Sequence, residues 1–242
     1  MSTFGNIVSA GLIALGVASA GFLAGEGLVK SRLGFRTVTV KGLAEREVKA
    51  DLGFWPLRFV ATGPSLEEAR GRLEAAQAAV EGFLQSKGFT AADYAVQNIQ
   101  VEDRLAGYNA QGTPEDTRFV LTEDILVKSA DVLKLADAAK SVGDILKAGV
   151  VFSSDSYNAG PSFIFTKVND LKGEMLTEAT KRAREAAEKF AQESGASVGD
   201  IQNANQGIIE INPAVAIPND RPEKQIDKNV RVVTTITYFL RN

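Results

Sequence analysis

The sequence predicts an α+β fold: a mainly antiparallel sheet with about three amphipathic helices packed on it, preceded by one N-terminal transmembrane helix. Three observations point there. No residue between Ser2 and Gly25 is charged. The rest of the chain alternates segments of period two with three segments of helical period. The period-two segments arrive in pairs around the helices, an order that suits helices gathered on an antiparallel sheet better than alternating βαβ units.

The N-terminal segment comes first. At about 1.5 Å of rise per residue, the run from Ile7 to Ala24 comes close to the ~30 Å of a bilayer core. Ala18-Ser19-Ala20 before Gly21 has the small-residue pattern of a signal-peptide cleavage site. A cleaved signal wants a basic start, however, and no Lys or Arg precedes Lys30. The expectation is therefore an uncleaved anchor over residues 1–30, touching lipid through residues 7–25, with one α+β domain over residues 31–242. Ala10, Ala14 and Ala18 form one row at four-residue spacing, and Gly21 and Gly25 another. Small residues let helix backbones approach closely in lipid, so these rows are the candidate membrane-helix packing surface. Lys30, Arg32 and Arg36 follow the span, and the positive-inside rule alone would put the body in the cytoplasm.

In the body, Val38 and Val40 alternate with Thr37, Thr39 and Lys41 as a strand that passes Gly42 by a bulge or bend and runs on to Val48. Trp55, Leu57, Phe59 and Ala61 share one face of a second strand. Pro56 within it cannot donate to a ladder and argues for an edge or a bulge. Ser65 and Glu68 make a capping box for a helix whose inward positions are Leu66, Ala69, Leu73, Ala76, Val80, Phe83 and Leu84, with Gly88 as its stop. Strands follow at about 95–105 and 117–128. Ser129 or Asp131 caps a short helix carrying Val132, Leu135, Ala136, Ala139 and Val142 inward, closed by Gly143. Val150 to Phe152 and Phe163 to Phe165 are short buried strands around a polar turn. A long helix over 170–194 turns Leu171, Met175, Ala179, Ala183, Ala186 and Phe190 inward, with Glu178/Arg182 and Glu185/Lys189 pairs on its outer face. Strands near 201–211 and 230–240 close the chain.

Composition narrows the chemistry. A net charge of -3 and a pI near 5.3 provide no basic field for phosphates, so no nucleic-acid partner is expected. The chain has no histidine and no cysteine. That excludes a disulfide framework, a zinc-thiolate site and imidazole acid/base chemistry.

Gly195-Ala196-Ser197-Val198-Gly199 matches a nucleophile elbow in letters only. The elbow needs a strand before its serine and a helix after it, and here the order is reversed, so the segment reads as a helix C-cap and turn. Glu102/Asp103, Glu115/Asp116 and Glu123/Asp124 are sequence neighbours that point to opposite faces of a strand or turn, and they read as solvent-facing charge. Asp155 and Asn158 sit in a polar turn without the spacing of a calcium loop. No catalytic residue, cofactor or metal site is expected. Trp55, Pro56, Phe163 and Phe165 are the candidate interface residues, with core packing as the default for the aromatics.

The stretch from Val38 through Thr39, Val40, Lys41, Gly42, Leu43, Ala44, Glu45, Arg46, Glu47, Val48 and Lys49 to Asp51 resembles the opening of bacterial SIMPL-domain proteins. The resemblance continues at Phe165-Thr166-Lys167-Val168-Asn169-Asp170, at Met175 to Ala187, at Ala204-Asn205-Gln206-Gly207 and at Val230 to Thr235, covering nearly all of residues 37–242. It implies an exported, envelope-located α+β protein with no established enzymatic activity. It also implies assembly, since some relatives form large ring-like or channel-like homo-oligomers, and it carries over no catalytic residue.

The expectation is thus a non-enzymatic protein of the bacterial inner membrane, single-pass, with its body in the periplasm. Its partner would be itself, in a ring- or channel-like homo-oligomer with a structural, scaffold or envelope-stress role. The alternative is a periplasmic binding module that recognises a partner protein or peptide through an exposed strand edge. A third class, a carboxylate-dependent hydrolase, would need two inward acidic side chains in one deep pocket.

Overall fold

A computed structural model describes residues 14–25, 36–106, 114–153, 160–218 and 221–241. The architecture is α+β, as the periodicities predict, but its strands divide between two sheets. One has three strands in the order β1 (Thr37–Lys49), β8 (Asp227–Arg241), β7 (Ser197–Pro213), and the other runs β3 (Tyr94–Asp103), β4 (Phe119–Ser129), β2 (Leu52–Gly63), β5 (Val151–Phe152), with β6 (Ser162–Ile164) also on β2. The described residues gather into two compact units. One takes residues to Leu43, Thr177–Gly207 and those from Val233, and the other takes Ala44–Leu176 and Ile208–Val232.

The larger unit is built on β2 (Leu52–Gly63), which pairs antiparallel with β4 (Phe119–Ser129) along its whole length, from Gly53 opposite Ser129 to Gly63 opposite Phe119. β3 (Tyr94–Asp103) lies antiparallel on the far side of β4. β5 (Val151–Phe152) and β6 (Ser162–Ile164) share the other edge of β2. Trp55, Leu57, Phe59 and Ala61 are buried on one face, together with Leu121, Ile125 and Val127 of β4. α2 (Leu66–Ser86) covers that face, and Trp55 meets Phe83 edge to face at 6.3 Å. The Ser65 hydroxyl accepts the Glu68 N–H at 3.2 Å, which is the N-cap half of the expected capping box, while the Glu68 carboxylate faces Arg72 at 3.7 Å, and left-handed Gly88 (φ 82°) follows the helix.

α3 (Val132–Lys140) is capped by the Asp131 carboxylate, which accepts the Lys134 N–H at 2.9 Å. Gly143, predicted to close this helix, instead opens a further short one, α4 (Gly143–Lys147). The left-handed glycine comes after α4, at Gly149 (φ 87°), and that is where the helical pair ends.

Pro56 corrects a second expectation. β2 is an interior strand, yet Pro56 is tolerated in it. The Ser153 N–H donates to the Arg58 carbonyl at 3.0 Å, so the even-numbered residues of β2 turn their backbone groups away from β4. β6 pairs with Leu52 to Phe54 and β5 with Phe59 and Val60, so among the described residues no ladder partner on that side asks Pro56 for a donor.

β1 (Thr37–Lys49), whose residues to Leu43 belong to the smaller unit, is one unbroken strand through Gly42. The glycine serves close approach rather than a bend: a Cβ there would lie 1.8 Å from the Ala179 carbonyl oxygen of α5 (Val168–Glu193). Val40, Ala183, Ala187, Ile236 and Tyr238 form this unit's core. The inward stripe of α5 steps by four from Met175 through Ala179, Ala183 and Ala187 to Ala191. Phe190, expected inward, is 64% exposed, because it sits about 100° around the helix from Ala191. β7 (Ser197–Pro213) and β8 (Asp227–Arg241) complete the sheet. Left-handed Gly195 (φ 68°) ends α5, and the Ser197 hydroxyl donates to the Arg241 carbonyl at 3.3 Å, so the elbow-like letters form the C-cap and turn read from their context.

Candidate functional site

The larger unit carries a groove of about 630 Å³ between α2 and the β3–β4 side of the sheet. Alternation puts Leu121, Glu123, Ile125 and Val127 of β4 on the face that α2 covers. Their register partners on β3 share that face: Val101 opposite Leu121, Ile99 opposite Glu123. α2 lies over β2 and β4 and reaches β3 only near Tyr94, where Gln85 donates to the Tyr94 hydroxyl at 3.4 Å, so Ile99 and Val101 stay exposed as an apolar shelf beside the helix. Leu66 and Leu73 form the helical wall, and Glu67, Arg70 and Glu74 stand on the rim.

Glu123 lines this groove and is 1% exposed. Neither of its carboxylate oxygens has a hydrogen-bond partner among the described residues. The polar neighbours in the groove are engaged elsewhere: Arg70 pairs with Glu74 at 3.4 Å, and the Gln77 amide donates to Glu81 at 2.9 Å. Burial pushes the Glu123 carboxyl above the ordinary carboxylate range, and the Glu81 charge adds to the push. A buried carboxylate without a partner is costly, by about 1–3 kcal/mol or more. It is an acceptor held ready for a cation, or an acid held ready to give its proton.

The other carboxylates behave differently. Asp103 accepts from Arg118 through Nε at 3.1 Å and Nη2 at 2.9 Å, and this fork holds its carboxyl below the usual range. Asp124 faces Arg58 across the ladder at 3.2 Å. Glu102 and Asp116 are exposed. Solvent-facing charge was the expectation for all of these, and Glu123 overturns it. The signal was legible, because Glu123 takes the alternate position between Leu121 and Ile125 in an otherwise apolar row. Among the described residues it is the one buried carboxylate, so the two inward acids of a hydrolase are not brought together there.

Among the candidate interface residues, Trp55 and Phe163 lie in the hydrophobic core, Phe165 is half-buried and Pro56 is exposed. Trp55 and Pro56 also line a cleft of about 290 Å³ with Leu146 and Phe152. Residues 14–25 form a helix, α1, on which Ala14, Ala18 and Gly21 are exposed and Gly25 half-exposed. A Cβ added at Gly21 or Gly25 would meet nothing within 4 Å. Ala10, Asp155 and Asn158 lie outside the described residues. No helix among the described residues is long and apolar enough to cross a membrane.

A family model described as SIMPL, protein of unknown function (DUF541), matches residues 38–238. No curated protein matches the chain. The matched stretch begins inside β1 and ends inside β8, so it contains both sheets and the groove.

Proposed function

Because the chain belongs to the SIMPL family, we propose that it is a membrane-tethered periplasmic protein that acts by self-assembly, in a ring- or channel-like homo-oligomer with a scaffold or envelope-stress role. The observation that carries this reading is β7. It is a strand of 17 residues at one end of its sheet, paired with β8 alone among the described strands, and it holds Ile208 78% exposed. A long edge strand with bare isoleucines is a template for pairing, and natural proteins cover such edges. A closed cyclic assembly covers one on every copy at once. α1 supports the same reading, since it carries no charge and exposes Leu15, Val17, Phe22 and Leu23. Small residues on such a helix suit packing between copies in lipid.

The test is the mass of the full chain purified in mild detergent, measured by multi-angle light scattering. A defined multiple of the 25.8 kDa chain is expected. A monomer at all concentrations would overturn the assembly. Protease protection in spheroplasts tests the periplasmic placement, with loss of the body expected and full protection contradicting it.

β3 favours a second reading, a binding module that captures an extended segment of a partner protein. β3 is also terminal in its sheet, with Ile99 and Val101 exposed along it.

A further inference from the structure

We infer that Glu123 is the anionic end of a peptide site: an extended partner segment adds to the free edge of β3 and lays a Lys or Arg stem across Ile99, setting its cation against the Glu123 carboxylate. The inference deepens the second reading above and rests on it, since it requires β3 to accept a strand.

The backbone geometry comes first. β3 is terminal in the order β3-β4-β2-β5, and its one register shift falls at Gln97, leaving Asn98 to Asp103 in unbroken register with β4. The Arg104 N–H donates to the Arg118 carbonyl at 2.9 Å, so even-numbered residues there turn their backbone groups to β4. By alternation, Ile99 and Val101 turn theirs to the edge that no described strand covers. The two residues whose side chains floor the groove are therefore the ones whose N–H and C=O groups await a partner.

Side-chain direction follows from the pleat. A residue of an added strand opposite Ile99 points to the same face as Ile99 and Glu123. Strands stand about 4.8 Å apart, so that residue starts roughly 10 Å from the Glu123 backbone, with Ile99 between them. A Lys or Arg stem crosses such a distance against an apolar floor while its charged head reaches a carboxylate coming the other way.

Charge selects the occupant. Arg70, the one cation lining the groove among the described residues, is already paired with Glu74, while Glu67 and Glu74 make the rim acidic. An apolar side chain at the same place would leave Glu123 buried and unpaired, whereas a cation satisfies it. A bare metal ion fits poorly, because it needs several oxygen ligands, and no cluster of three or more acidic side chains suited to a metal exists among the described residues.

The experiment titrates the full chain in detergent with fluorescent Thr-Val-Thr-Lys-Thr-Val-Thr, with the same peptide carrying norleucine for Lys, and with n-hexylamine. The Lys peptide is expected to bind about tenfold or more tighter than the norleucine peptide. Glu123→Gln is expected to erase that difference, and the Ile99 and Val101 amides are expected to gain protection from hydrogen exchange on binding. Val101→Pro, which removes an edge donor without touching the β4 ladder, is expected to abolish binding. Equal affinity for both peptides, with β3 protected, would overturn the role of Glu123 and leave the edge reading standing. Binding of neither peptide would overturn both. Hexylamine binding as tightly as the Lys peptide, with β3 unprotected, would overturn the added strand.

Discussion

Glu123 and Ile99 face one another across the β3–β4 ladder on the same side of the sheet, yet Glu123 is 1% exposed and Ile99 53%. The charged residue is covered and the apolar one is bare, the reverse of what either side chain favours in water. α2 is the cause, since it lies over β4 and leaves the Ile99 and Val101 positions of β3 open. A groove that inverts the usual burial preference stores free energy that a suitable partner can release.

Replacing Glu123 by Leu is expected to stabilise the isolated protein at pH 7 by about 1–3 kcal/mol, because an unpaired buried carboxylate gives way to an apolar side chain in an apolar row. Urea unfolding followed by circular dichroism measures it. A loss of stability would mean that the carboxylate has a stabilising partner in solution.

The same group imposes a pH dependence. Its folded carboxyl is raised above the ordinary 4.5, so the folded protein holds a proton that the unfolded chain releases. The contribution is fully present below that ordinary value and is lost as pH rises through the folded value. Glu123→Gln is expected to remove this decline, so the stability of the variant relative to wild type rises with pH across that window. A difference that stays flat with pH would contradict the raised carboxyl.

Gly42→Ala and Gly82→Ala are expected to act in opposite directions. A methyl at Gly42 would collide with the Ala179 carbonyl at 1.8 Å, and backbone cannot move aside as a side chain can. The expected loss is about 1–3 kcal/mol or more. At Gly82, inside α2, the methyl would meet nothing within 4 Å, and the gain in helix propensity is worth about 1 kcal/mol. Thermal unfolding of both variants decides it, and equal shifts would contradict the close packing of β1 on α5.

Ile208→Lys is expected to lower the mass of the detergent-solubilised assembly while leaving the circular dichroism spectrum unchanged, since the side chain is 78% exposed and a charge on an edge strand opposes pairing. An unaltered mass would remove β7 from the interface.

Local elements were legible because their signals are local. Ser65 with Glu68, and Gly88 with its left-handed φ, mark the ends of α2 by hydrogen bonds that span three or four residues. The alternation at Trp55, Leu57 and Phe59 needs only the two-residue period of a strand. Phe190 and Gly143 were misread where a local pattern had two continuations. One step around a helix separates Phe190 from the buried Ala191, and a glycine serves a helix start as readily as a stop when its φ is negative.

The amino-acid order by itself determined the α+β class, the ends of the long helices, the uncharged N-terminal stretch and the absence of histidine and cysteine chemistry, since each follows from composition or from contacts within a few residues. Tertiary structure alone decided the division into two sheets, the backbone contact that demands glycine at position 42, the interior place of the strand that carries Pro56 and the burial of Glu123. Each of these depends on where one element ends over another distant in sequence, and the periodicity of a strand reports which side chains share a face without reporting what covers that face.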